Sequence, residues 1–180
     1  MKTKSKMYLL VPMVLGVLLF SQNAAMASQP WTGVAGAFIP DESSLNKYES
    51  TAARFRHKGT QTGDIYAKCN VTSPISGDFY SGWSVLQVIY RDPDGSATSN
   101  SVTVELIRVS NSTGGVFTIA TFNSNDFGAS SSSQTHAVDF THTFDFFSYA
   151  YYVQIKVSRT RSGATNNPDV SVVRLYEYGI

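Results

Sequence analysis

Along most of the chain, apolar and polar side chains alternate in short runs separated by Gly, Pro, Asn, Asp and Ser. Side chains of a strand point alternately to its two faces, so such runs read as half-buried strands and the separators as turns. The cleanest case is 149–157, where Tyr149, Tyr151, Val153, Ile155 and Val157 share one face. The run 83–90 is apolar on both faces, Trp83, Val85 and Ile89 against Leu86, Val88 and Tyr90, which predicts a central strand covered on both sides. Further strands are expected over 34–39, 51–57, 64–71, 102–109, 116–122, 135–144 and 170–178.

Turn chemistry sets the expected connections. Asp92-Pro93-Asp94-Gly95 fits a type I turn, with proline presetting φ and glycine tolerating a positive one. Asn111-Ser112-Thr113-Gly114-Gly115 predicts an antiparallel hairpin between 102–109 and 116–122. The segments 51–57 and 64–71 are expected to pair across a loop containing Gly59 and Gly63, and the serine-rich stretch 123–133 is expected to be a mobile loop. No run of ten or more residues shows a 3.6-residue apolar period, and 41–47 offers one helical turn at most. Eight to nine short strands without helical crossovers make an all-β chain. A single antiparallel β-sandwich of jelly-roll or immunoglobulin-like type follows, with a closed barrel as the alternative. The Cys…Trp…Cys pattern of an immunoglobulin domain is absent, which favours the jelly roll.

The first residues break this pattern. Lys2, Lys4 and Lys6 precede an apolar stretch over 8–20, and Ala25-Met26-Ala27 follows. A basic start, an apolar middle and a small-x-small end predict a signal peptide over 1–27, cleaved to leave a domain over 28–180 in the periplasm or outside the cell. The apolar stretch is shorter than the roughly 20 residues that cross a bilayer, and no later segment is long and apolar enough to span one. Taking the three leader lysines from the 14 basic side chains leaves 11 against 13 acidic ones, a net charge near −2. That balance argues against nucleic acid as a partner, because phosphate binding needs clustered positive charge.

Candidate chemistry is sparse. Cys69, the only cysteine, alternates onto the face of Ile65 and Ala67, so a buried thiol is expected and an internal disulfide is excluded. His136 and His142 share a face of the 135–144 run but would lie about 20 Å apart, too far for one metal ion, and His57 is remote in sequence. Asp92 and Asp94 offer two carboxylates where Ca²⁺ takes six to eight oxygens, and the turn alone explains them. Asp64, Asp126 and Asp169 are loop acids with no partner pattern, and Glu105 and Glu177 are strand acids expected to be exposed. No G-x-S-x-G elbow accompanies the many serines. The sequons at Asn70 and Asn111 carry no weight behind a lysine-rich leader of bacterial type. Arg54, Arg56 and Lys58 alternate onto one face, expected to be the solvated side of an edge strand. Among the aromatics Trp31, Tyr80, Trp83, Tyr149, Tyr151, Tyr152, Tyr176 and Tyr178, the loop-flanking Trp31 and Tyr80 are the expected exposed rings.

In the turn Tyr90-Arg91-Asp92-Pro93-Asp94-Gly95 and the stretch from Phe144 to Tyr152, the chain resembles exported bacterial β-sandwich proteins of unknown function. The resemblance implies export and a sandwich, and brings no activity, cofactor or functional residue. The expectation is therefore a non-catalytic module that binds glycan or an extracytoplasmic protein, or serves a structural role. It has no cofactor, no metal ligands and no assigned catalytic residue. The alternatives are a small secreted hydrolase using carboxylates such as Glu105 or Asp92, and a subunit that self-assembles through strand edges into a fibre or surface layer.

Overall fold

The period of two becomes two antiparallel sheets laid face to face. A computed structural model of the protein describes residues 29–73, 79–80, 82–162 and 167–178, with only the backbone described at 79–80. The expected leader over 1–27 and the side chain of Tyr80 lie outside the described residues. In chain order the strands are β1 (Trp31–Val34), β2 (Ile39–Pro40), β3 (Tyr48–Ser50), β4 (Phe55–His57), β5 (Gly63–Val71), β6 (Phe79–Tyr80), β7 (Val85–Asp92), β8 (Asn100–Ser110), β9 (Val116–Asn123), β10 (Ser130–Asp139), β11 (Phe144–Asp145), β12 (Tyr149–Arg159) and β13 (Asp169–Tyr176). One sheet runs β10-β7-β13-β4-β3 with β1 added along β13, the other runs β2-β5-β12-β8-β9, and β6 pairs with β11 apart from both. No helix among the described residues is long and apolar enough to cross a membrane.

The inward faces carry the alternating apolar residues named above. Val153, Ile155 and Val157 of β12 and Val102, Val104 and Leu106 of β8 are fully buried, opposite Leu86, Val88 and Tyr90 of β7 and Val173 and Leu175 of β13. Each such side chain contributes about 1.5–3 kcal/mol through lost contact with water, and Cys69 is a free thiol, so burial does the holding. Cys69 is half-buried against this core, and burial pushes its thiol pKa up. β7 is central, as its two apolar faces predict: it lies between β10 and β13.

Several expectations are corrected. The segments expected over 51–57 and 64–71 do not pair. β4 joins β3 and β13 in one sheet, while β5 joins β2 and β12 in the other. The 135–144 strand stops at Asp139, and it starts early, at Ser130 inside the stretch expected to be mobile, because β7 offers a free edge from Val85 to Asp92. β4 is not an edge strand, and its cations are not all solvated. Asp169 of β13 is fully buried beside it, 3.0 Å from Arg91 Nε and 3.7 Å from Arg54, while Arg56 pairs with Glu49. Burial raises the Asp169 pKa, against the pull of Arg91, Arg54 and Arg56. The partners come from strands far apart in sequence, so the stripe alone could not show them. Asp64 likewise has partners, Lys156 at 3.1 Å and Ser158 at 2.7 Å.

The Asp-Pro-Asp-Gly turn joins the sheets. Asp92 ends β7 fully buried and accepts from Ser124 Oγ, which in turn accepts from the backbone N–H of Val102 at 2.8 Å. Asp94 accepts from the backbone N–H groups of Ser99 and Asn100, each at 3.1 Å. Burial, with the neighbouring Asp94 carboxyl, pushes the Asp92 pKa up to about 6 despite the bond from Ser124. A carboxyl held above its ordinary range favours the folded state while protonated, so that stabilisation is complete below about pH 4 and fades as the pH rises through 6. Relative to Asp92→Asn, the wild type is therefore expected to lose about 2–3 kcal/mol between pH 4 and pH 7.5 in urea unfolding. Parallel pH dependences in the two proteins would contradict this.

Gly95 sits in this turn at φ +58°, and a Cβ there would come within 2.8 Å of Ala129 Cα and 2.9 Å of the Gly128 carbonyl carbon. Both obstacles are backbone and cannot rotate away. Gly95→Ala is expected to cost about 2 kcal/mol or more in the same assay, and a cost below about 0.5 kcal/mol would refute the close approach.

Candidate functional site

Exposure along the inner face of the five-stranded sheet changes steadily toward one end. On β12 it goes from Val157, Ile155 and Val153, fully buried, through Tyr151 at 3% to a half-buried Tyr149. On β8 it goes from Leu106, fully buried, to a partly exposed Arg108, and on β9 from Phe122, fully buried, to Phe117 at 57%. β8 and β12 are eleven residues each, whereas β7 and β13 on the facing sheet are eight. The longer strands run past their cover, and their last inward residues are aromatic or cationic.

A bulge decides which residues those are. In the β8–β9 pairing Leu106 faces Ala120 while the next residue, Ile107, faces Thr118, so Ile119 is an extra residue in β9. The bulge turns the alternation over, and Phe117, opposite Arg108, faces the same way as Ala120 and Phe122. Without it Phe117 would face outward. Arg108 lies opposite Tyr151 on its other side, one diagonal step from Tyr149. Its guanidinium carbon is 4.8 Å from the Phe117 ring centre and 4.7 Å from that of Tyr149, so rings from the two neighbouring strands hold it.

Behind this pair the rings continue into the fold. Tyr151 packs against Phe144 and Phe146 at 4.8 and 4.9 Å, and Phe144 meets the fully buried Trp83 edge-on at 5.1 Å. His142 stands 5.0 Å from Phe144 and 5.7 Å from Tyr151. The Tyr151 hydroxyl accepts from the backbone N–H of Asp145 at 2.9 Å and lies 3.2 Å from His142 Nε2. Burial, and secondarily the charge of Arg108, lowers the His142 pKa. The Tyr151 hydroxyl and His142 Nε2 thus share one hydrogen bond. Burial also raises the Tyr151 pKa, which keeps its hydroxyl protonated.

His142 also lines a cleft of about 170 Å³ with Trp83, Ser84, Phe140, Thr141 and Thr143. This is smaller than the roughly 300–1,000 Å³ of enclosed ligand pockets. Cleft, His142, Tyr151, Tyr149, Arg108 and Phe117 form one continuous path of rings and polar groups. Nearby, the turn 145–148 is tied to the β8–β9 hairpin by Asn111, whose Nδ2 donates to the Phe147 carbonyl at 2.9 Å.

The other sequence candidates lie elsewhere. Glu105 sits on the outer face of the five-stranded sheet, accepting from Gln154 at 3.2 Å, whereas Glu177 follows β13 of the other sheet, so the two acids belong to different layers. His57 is buried with Nε2 3.0 Å from the Gly63 carbonyl, and His136 is stacked 4.0 Å from Phe127 and 3.0 Å from the Tyr90 hydroxyl. Trp31, expected to be exposed, instead packs half-buried against the core from β1. Tyr152 and Tyr66, on the outer face, lie under Lys68 and Lys156 at 5.3 and 6.0 Å. Arg108 and Phe117 were not among the sequence candidates. A cation in the inward register of Val102, Val104 and Leu106 was the available signal, but the bulge that brings Phe117 beside it leaves no mark in the sequence.

Tyr151→Phe removes the acceptor for the Asp145 N–H and the hydrogen-bond partner of His142. It is expected to cost about 1–2 kcal/mol in urea unfolding and to shift the His142 titration followed by NMR, because the imidazole loses its hydrogen-bond partner. An unchanged His142 titration would contradict the network.

No protein-family model matches the chain, and no curated protein matches it. Among solved structures, a xylan-binding module CBM15 aligns over 83% of this chain and 97% of its own at 12% identity and a TM-score of 0.45. The K1 cleaved adhesin domain of Lys-gingipain from Porphyromonas gingivalis aligns over 84% and 100% at 10% identity and a TM-score of 0.44. A xylan-binding domain from CBM 22 aligns over 85% and 89% at 11% identity and a TM-score of 0.43. At these values the likenesses transfer neither a ligand nor a site to this chain.

Proposed function

We propose that this chain is an exported, non-catalytic glycan-binding module, and that the uncovered end of the inner sheet face, with the adjoining cleft, is its binding surface. The observation that carries the reading is the pair of part-exposed rings, Phe117 and Tyr149, set on either side of Arg108 and leading into the cleft beside His142. Sugar rings present apolar C–H faces that stack on aromatic side chains, while their hydroxyl groups take bonds from donors at the rim. Thr141, Thr143 and Ser84 supply hydroxyl groups at the cleft. An open surface of this kind suits a polymer passing across it better than a small molecule that must be enclosed. The outer face of the same sheet is the weaker candidate, because lysines already occupy its tyrosine rings.

The leader over 1–27, its removal and residence in the periplasm or outside the cell belong to this proposal, as does a single domain over 28–180. The near-neutral, slightly acidic mature chain supports the absence of nucleic acid from the partners. The hydrolase alternative loses its carboxyl pair, since Glu105 and Glu177 belong to different sheets and Asp92 is buried in the joint between them. Glycosidases hold their two carboxyl groups roughly 5–9.5 Å apart across the scissile bond.

Affinity electrophoresis through gels containing soluble polysaccharides tests the reading, with neutral xylan and β-glucan and acidic polygalacturonate as the panel. Retardation by at least one polymer is expected, weakened about tenfold by Phe117→Ala or Tyr149→Ala and unchanged by Tyr152→Ala on the outer face. No retardation by any polymer, or loss only with Tyr152→Ala, would overturn it.

A further inference from the structure

We infer that this surface selects a carboxylated polysaccharide, one containing uronic acid residues, and that Arg108 is the residue that reads the carboxylate. The inference rests on the glycan-binding reading and narrows it to a ligand class. Arg108 occupies a position where the alternation of β8 calls for an apolar residue, in line with Val102, Val104 and Leu106. Arg108 is only partly buried, and none of its guanidinium nitrogens is among the buried polar atoms left without a partner, so its N–H groups stay open to water and to a ligand. Packing between Phe117 and Tyr149 alone would be met equally by Leu or Met.

The protein itself does not meet those N–H groups. Among the described residues the Arg108 side chain makes no hydrogen bond and no ion pair; the pairs formed involve Arg54, Arg56, Arg91 and Lys156. Its contacts are with ring faces. Stacking uses the flat sides of the guanidinium and leaves its edge, with the N–H fork, directed away from them. Asp145, on the adjoining turn, is engaged otherwise: its Oδ1 accepts from the backbone N–H groups of Phe147 and Ser148, both at 3.0 Å.

Arg159 provides the internal comparison. It also faces inward from β12, at the opposite end, and is fully buried. There the protein satisfies it: Nε donates to the Arg161 carbonyl at 3.0 Å, and Nη1 donates to those of Gly59 and Gln61 at 2.9 and 3.3 Å. One inward arginine is thus closed off by carbonyls, and the other is held by rings with its donors unused. A planar carboxylate accepts two parallel N–H bonds from such a fork. A uronate pyranose carries that carboxylate beside a C–H face able to stack on Phe117 or Tyr149. Net attraction does not explain such binding, because the chain without its leader carries a charge near −2.

The test compares polygalacturonate with the same polymer after methyl esterification, which removes the charge and keeps the sugar backbone. Binding of the chain from Ser28 onward is measured by affinity electrophoresis and calorimetry. Polygalacturonate is expected to bind, and esterification to weaken binding about tenfold or more. Arg108→Met is expected to abolish that preference while melting within a few degrees of wild type, and Arg108→Lys to retain part of it.

Equal binding of acid and ester, or an acid preference that survives Arg108→Met, would overturn the inference and leave the glycan reading standing. Binding to neutral polymers alone would do the same. Poly-glutamate binding that depends on Arg108, without polygalacturonate binding, would replace the saccharide by an acidic peptide. Equal affinity for a sulfated glycan would remove the carboxylate specificity. Failure of every polysaccharide to bind would overturn both readings.

Discussion

The unequal lengths of the two packed sheets govern the rest of this structure. Where β7 and β13 lie over β8 and β12, the sequence needs only alternation, and Val, Leu and Ile fill the space between. Where β8 and β12 continue beyond their cover, the same inward register reaches solvent. Tyr149, Phe117 and Arg108 instead give the open end a rigid lining with polar edges, and Tyr151 and His142 link it by hydrogen bonds to the turn at Asp145. A sandwich with a single free cysteine has no covalent means of closing such an end.

Polar joints set how the sheets meet. Asp92, Ser124 and the Val102 N–H form a bridge from β7 to the facing sheet, and Gly95 lets the 127–129 segment lie against the turn. Asp169, flanked by arginines on the outer side of its sheet, fixes β13 relative to β4 and β7. The Asp92 bridge holds the two inner faces in a fixed relation, and the position of the uncovered end depends on that relation. Burial of the Asp92 carboxyl, which raises its pKa to about 6, makes this joint responsive to pH.

Much of the architecture was legible in the sequence, because one-face burial imposes a period of two. The long strands β5, β7, β8, β9, β12 and β13 coincide in large part with the expected runs, β10 only over 135–139, and the 111–115 turn forms the expected hairpin. The misreadings have common physical causes. Pairing partners are set by the whole sheet, so β4 and β5, neighbours in the chain, went to different layers. The serines at 130–133 have weak strand preference and join β10 only because β7 presents an open edge. Arg54, expected to be solvated, and Asp64, which shows no partner pattern in the sequence, have partners contributed by distant strands. At the candidate site, Tyr149 and Tyr151 stood out as aromatic, but their grouping with Arg108 and Phe117 depends on strand register and on the Ile119 bulge, neither of which a single sequence displays.

The most direct measurement of the central claim is residue-resolved NMR mapping of a titration with a short oligogalacturonide. The account predicts saturating shifts at the Arg108 Nε–H and at the amides of Phe117, Tyr149 and His142, with the outer-face signals of Tyr66, Tyr152 and Gln154 unmoved. Shifts centred on that outer face, or none at saturating ligand, would contradict it.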